Sequence, residues 1–248
     1  MSRRLHIPLA SAVLILACAL AALLTGQSAP SEAAAKEGLL GKETTPSILC
    51  ADSSSFIESG CNAQGRQLDC SGLGLEQRLG CSQISNISEA LGGLSPRLPM
   101  AECLAPIEDE NFEEGIVREG CLLPVYRRYI VKQDGEFRLI RTKAEFRSLY
   151  APVQTPQEAL SFAVALTNSF PRYDTSPPED YFPVVASIEP SHAEEKDGAF
   201  SVHLFNRPIC GCGSHPYYAV NYLVSKEGEV TELSRQMVYD SSFAICFD

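Results

Sequence analysis

Cys210-Gly211-Cys212-Gly213-Ser214-His215 places two thiols and an imidazole within six residues. As thiolates, the two sulfurs together with His215 would supply three ligands of a tetrahedral zinc or copper site, with Cys246 or His203 as a fourth. Gly211 and Gly213 lack a Cβ, so the loop can fold tightly enough for the sulfurs to converge. The same pair offers a redox dithiol, although C-x-C differs from the C-x-x-C of thioredoxin-like proteins and no βαβ pattern surrounds it. The competing expectation is that Cys246 pairs with Cys210 or Cys212 and staples the C-terminal segment to the loop. Redox compartment decides between these chemistries.

The N-terminal residues point to an oxidising one. Arg3 and Arg4 precede an unbroken apolar run from Ala12 to Leu24, and small residues follow through Ala33-Ala34-Ala35. That is the pattern of a cleaved signal peptide over residues 1–35. An uncleaved anchor is the alternative, but Pro8 and Ser11 shorten the dependable apolar stretch. Ile15-Leu16-Ala17-Cys18 resembles a bacterial lipoprotein signal, in which Cys18 would be lipidated and would tether the protein to the membrane. The bulky Leu16 departs from that pattern, and a plain signal is the preferred reading.

Export makes disulfides the default fate of the remaining nine cysteines. Cys50, Cys61, Cys70, Cys81, Cys103 and Cys121 form one group, and Cys210, Cys212 and Cys246 another. Six sulfurs close as three bridges of open connectivity, whereas three leave one over unless it pairs elsewhere. Charge narrows the partners further. With 20 basic against 31 acidic residues, the net charge is −11, and no basic stripe interleaves with aromatics. Such a chain is not built to track phosphate backbones, which excludes nucleic acid. After the leader, no apolar run is long enough to span a bilayer.

Composition divides the chain into a signal peptide (1–35), a flexible linker (36–48), a cysteine-rich region (49–123) and an α+β domain (124–248). The cysteine-rich part is broken by glycines. Leu73, Leu75 and Leu79 predict one short helix, and Ile84, Ile87, Ala90 and Leu91 predict another. This stretch buries little core alone, so bridges must constrain it. Glu108-Asp109-Glu110 with Glu113-Glu114 lacks the D-x-D-x-D-G loop of a calcium site and reads as a solvated face.

Beyond Pro124 the patterning sharpens. Val125 to Val131 and Glu136 to Ile140 flank Asp134-Gly135, a hairpin signal. Thr142-Lys143-Ala144-Glu145 and Thr155-Pro156-Gln157-Glu158 are capping boxes, the second with proline at the first helical position. Ala159, Leu160, Phe162, Ala163 and Leu166 line the apolar face of the second helix. Strands are expected over Tyr181–Ile188, Ala199–Phe205, Tyr217–Val224 and Glu229–Tyr239, with turns at Lys196-Asp197-Gly198 and Lys226-Glu227-Gly228. The fold class is therefore α+β: a C-terminal antiparallel sheet with a packed helix, preceded by a loop-rich, disulfide-stapled region.

Glu158-Ala159-Leu160 with Ala163, Phe200-Ser201-Val202, and Val220-Asn221-Tyr222-Leu223-Val224 running through Gly228-Glu229-Val230 give residues 155–239 a resemblance to PepSY-like domains. These are small extracytoplasmic modules with one helix on a curved antiparallel sheet, and cystatin-like folds share the outline. The proline-rich stretch Pro171 to Pro178 and the cysteine-bearing loop depart from the pattern. The resemblance implies a non-catalytic role, since such modules bind or restrain peptidases of the envelope.

Other chemistry finds little support. No G-x-S-x-G elbow accompanies the histidines, and there is no H-E-x-x-H. Gly41-Lys42-Glu43 fails as a phosphate loop, because Glu43 replaces the hydroxyl and Lys36 the first glycine. Asn86-Ile87-Ser88 is a glycosylation sequon. The expectation is an exported, disulfide-stabilised, non-catalytic protein without cofactor that binds a protein or peptide partner. The alternative is a zinc, copper or thiol-redox protein using Cys210, Cys212, His215 and Cys246.

Overall fold

The computed structural model describes residues 54–107 and 115–247. They belong to one unit spanning Pro46–Asp248. The expected signal peptide, Cys18, the linker, Cys50 and the acidic cluster from Glu108 to Glu114 lie outside the described residues.

In chain order the elements begin with α1 (Ser54–Glu58), β1 (Asn62–Gln64), β2 (Gln67–Asp69), α2 (Leu75–Leu79), β3 (Gln83–Asn86) and β4 (Met100–Pro106). Then come β5 (Val117–Glu119), β6 (Val125–Gln133), β7 (Glu136–Ile140), α3 (Lys143–Tyr150) and α4 (Pro156–Leu166). The rest is β8 (Ser169–Phe170), β9 (Tyr181–Pro183), β10 (His192–Lys196), β11 (Ala199–Asn206), β12 (Gly211–Gly213), β13 (Tyr217–Val224), β14 (Val230–Ser241) and β15 (Ile245–Phe247). Antiparallel pairing organises them into a first sheet in the order β1-β2-β3-β4-β6-β5 with β7 on β6, and a second in the order β10-β11-β13-β14-β9 with β8 on β11. A small ladder joins β12 to β15. The fold is α+β, with few helices against mostly antiparallel sheet.

α4 shows how the sheets come together. Thr155 Oγ1 accepts from Glu158 N at 3.2 Å and Glu158 Oε2 accepts from Thr155 N at 3.3 Å, closing the capping box at its start. Every residue from Ala159 to Leu166 is buried. Phe200, Val202 and Leu204 of β11 and Val220, Tyr222 and Val224 of β13 share its core on the second-sheet side. Tyr129, Val131 and Ile140 of the first sheet belong to the same core, with Phe146 and Tyr150 of α3. Tyr129 donates its hydroxyl to Ala165 O at 3.0 Å. A helix apolar all round is one buried all round.

Ser161, the polar exception on α4, is satisfied by the cysteine-rich region. Its hydroxyl donates to Ala90 O at 2.6 Å and accepts from Gly93 N at 3.1 Å. A Cβ on Gly93 would stand 2.5 Å from Gln157 O and 2.7 Å from Ser161 Oγ, so only glycine permits this approach. The first sheet also crosses the compositional boundary at 123/124, since β4 pairs β6 from Met100↔Val131 to Pro106↔Val125.

Two other cores flank this one. Phe56, Leu68, Leu75, Ile84, Ala101, Ile130 and Leu139 pack with Cys61, Cys70, Cys81 and Cys103 on the first sheet. Beside the second sheet, Phe205, Val238 and Tyr239 are covered by Phe170, Tyr181, Val185 and Ile188.

Both capped helices, the hairpin at Asp134-Gly135 and the C-terminal strands form where the sequence predicts. Two expectations change. Ile84 to Leu91 makes no single helix: Gln83–Asn86 is β3, and a 3-10 turn over Glu89–Gly93 follows Ser88, whose Oγ accepts from Ala90 N. Pairing with β4 pulls Ile84 into one core while Leu91 enters another. The strand expected over Tyr181–Ile188 stops at Pro183, and Val185 and Ile188 turn inward instead over Phe205.

Candidate functional site

Beyond β11 the chain carries Arg207 to Pro216 outward and returns as β13. Gly211 takes φ +76°, a left-handed conformation open to glycine at little cost, with nothing within 4 Å of a would-be Cβ. β12 then pairs antiparallel with β15, which sets Cys212 directly opposite Cys246. Those two sulfurs are bonded, and Cys210 is bonded to Cys121, 89 residues earlier in the chain.

His215 locks this arrangement from within. It is 5 % exposed and takes φ +48°. Its Nε2 faces Ile245 O at 2.8 Å and its Nδ1 faces Pro208 O at 3.3 Å. Tyr181 directs its hydroxyl at the carbonyls of Ser214 and His215, each 3.2 Å away. The guanidinium of Arg207 lies over the rings of Tyr181 and Tyr217. Tyr217, one of two strand tyrosines at the loop, thus packs into the small core rather than presenting an open face.

Cys212 pairs with Cys246, one of the two pairings expected to staple the C-terminal segment to the loop. The sequence grouping of sulfurs differs from the outcome. The group of six does not close on itself, because Cys121 crosses to Cys210 while Cys61 pairs Cys70 and Cys81 pairs Cys103. The odd sulfur of the group of three finds that partner. In these bridges Cys210, Cys212 and Cys246 present no thiolate, the form in which sulfur ligates metal or attacks. His203 stands apart on β11, its Nδ1 2.8 Å from Asn221 Oδ1 and its ring stacked on that of His192. Among the described residues, no three His, Cys, Asp or Glu side chains cluster as metal ligands would.

What the bridges hold outward escaped the sequence reading. Leu122 and Leu123 follow Cys121 and are 73 % and 89 % exposed. Ile209 precedes Cys210, Ile245 precedes Cys246, and Phe243 stands just before; these too are exposed. Single exposed apolar residues are ordinary, and these five lie on segments that two disulfides cross-link. The only signal in the sequence was large apolar residues beside cysteines in segments without periodicity.

Comparison with protein-family models, curated proteins and solved structures returns no match for this chain. Its class therefore rests on its own chemistry. Four disulfides among the described residues mark an oxidising environment, extracellular or periplasmic. No helix among the described residues is long and apolar enough to cross a membrane.

Proposed function

We propose that this is an exported, non-catalytic binding protein that engages a protein partner through the apolar side chains around the Cys121–Cys210 and Cys212–Cys246 bridges. The observation that carries the reading is the exposure of Leu122, Leu123, Ile209, Phe243 and Ile245 on segments cross-linked by disulfides. Water opposes such exposure, so a partner that covers these groups gains their burial free energy. Loops already fixed by bridges lose little further entropy on docking. The signal-like N-terminus supports export. The helix-before-sheet order of residues 155–239 is what a PepSY-like module, restraining an envelope enzyme by binding, would require.

The test is a photocrosslinking amino acid placed at Leu123 in the exporting host, with the same group at Lys143 as an exposed control. The expected result is a discrete heteromeric adduct from position 123, lost when Phe243→Asp is added and absent from position 143. No adduct from 123, or equal adducts from both positions, would overturn the proposal.

A further inference from the structure

Between the β1–β2 turn, the end of β3, the 3-10 segment and the start of α4 lies a cavity of about 490 Å³. That volume falls within the ~300–1,000 Å³ of small-molecule sites. Its walls are fixed before any ligand arrives. Ser161 anchors the 3-10 segment through Ala90 and Gly93. The capping box holds Gln157 at the second position of α4. Arg172 N donates to Ser191 Oγ at 2.9 Å, and Asp174 Oδ1 accepts from Ser176 N at 2.8 Å, bracing the loop that carries Tyr173.

The lining is mixed, with more apolar than polar surface, and its formal charges cancel. Arg66 and Glu89 contribute one charge of each sign, Asn86 and Gln157 contribute carboxamides, and Ile87 and the Tyr173 ring supply apolar surface. Asn86 Oδ1 is buried without a hydrogen-bond partner among the described residues. Balanced charge gives no preference for an anion or a cation. A lipid chain would leave the buried Asn86 Oδ1 and the Gln157 carboxamide unanswered, which is costly. An extended peptide finds no open edge here, since β3 is paired on one side to β2 and on the other to β4.

We infer that this cavity binds a neutral saccharide. Each sugar hydroxyl both donates and accepts, matching carboxamide, guanidinium and carboxylate groups that present donors and acceptors in fixed planes. The C–H face of a pyranose ring supplies the apolar side that Tyr173 and Ile87 require. Tyr173 is 45 % exposed, so its ring forms a wall a ligand can reach. This site is independent of the apolar surface around the bridges, and either assignment can fail without the other.

The experiment titrates the full, disulfide-bonded protein with maltotriose, cellotriose, chitotriose and, as a different class, tri-alanine, following backbone amide shifts by NMR. At least one trisaccharide should give saturable shifts at Asn86, Gln157 and Tyr173. Tyr173→Ala and Gln157→Ala should each weaken binding about tenfold, with the urea midpoint unchanged. Leu123→Asp should leave saccharide binding as it was. The inference is overturned if no trisaccharide shifts these residues, if only tri-alanine does, or if both cavity variants bind as tightly as the parent.

Discussion

Glu102 lies on β4 within reach of Arg127, which it faces at 4.0 Å, while Glu119 approaches the same guanidinium at 2.5 Å. Burial pushes the Glu102 carboxyl above the usual range; Arg127 and Arg66 pull it down and Glu119 adds to the rise. The folded protein therefore holds the Glu102 proton over a window in which the unfolded chain has released it. Stability contributed by this group is present below the ordinary carboxyl value and is lost as pH rises through the elevated one. Urea midpoints across that window should fall more with pH in the parent than in Glu102→Gln, and parallel curves would contradict the assignment. Arg127 also donates to Val164 O, Thr167 O and Asn168 Oδ1 at the end of α4, where a cation meets the negative end of the helix. None of this was legible in the sequence, because Glu102, Glu119 and Arg127 meet only when β4, β5 and β6 pair.

At the level of elements, local signals worked where they were strong. Each capping box specifies its own helix start through contacts three residues apart, so α3 and α4 begin where the sequence indicates. The Ile84–Leu91 segment lacked such a signal, and pairing with β4 overrode its helical spacing. The bridges differ in the same local sense. Cys61–Cys70 and Cys81–Cys103 are buried in a core, whereas Cys210, Cys212 and Cys246 are exposed. A mild dithiol reductant should open Cys121–Cys210 and Cys212–Cys246 first, because exchange requires thiolate access to sulfur. Differential alkylation with peptide mass spectrometry reads the order directly, and early labelling of Cys61 or Cys81 would reverse it.

Over the whole molecule, the cysteine-rich residues do more than lead into a domain. They supply β1 to β4 and the 3-10 segment that meets α4, and β4 completes a sheet with β6. Cys121–Cys210 joins the loop before β6 to the loop after β11 over a separation of 89 residues. In the chain-entropy account, closing so long a loop is worth about 4–5 kcal/mol. The double variant Cys121→Ser with Cys210→Ser should therefore lose stability on that order in urea unfolding. It should also lose the crosslink expected at position 123, since the loops bearing Leu123 and Ile209 are no longer tied. A loss below ~1 kcal/mol would mean that the unfolded chain gains little freedom from the cut.

By itself the sequence determined what depends on near neighbours: two capped helices, the Asp134-Gly135 hairpin, the strands after Ala199, the α+β class, and the stapling of the C-terminal segment through Cys246. Its cysteine content already pointed to an oxidising compartment. Only the tertiary structure decided that Cys121 crosses to Cys210, that α4 is buried from Ala159 to Leu166, and that five apolar side chains stay exposed on segments cross-linked by bridges. Those outcomes join residues tens of positions apart, and what joins them is shared burial and strand pairing. Neither leaves a period or a motif along the chain.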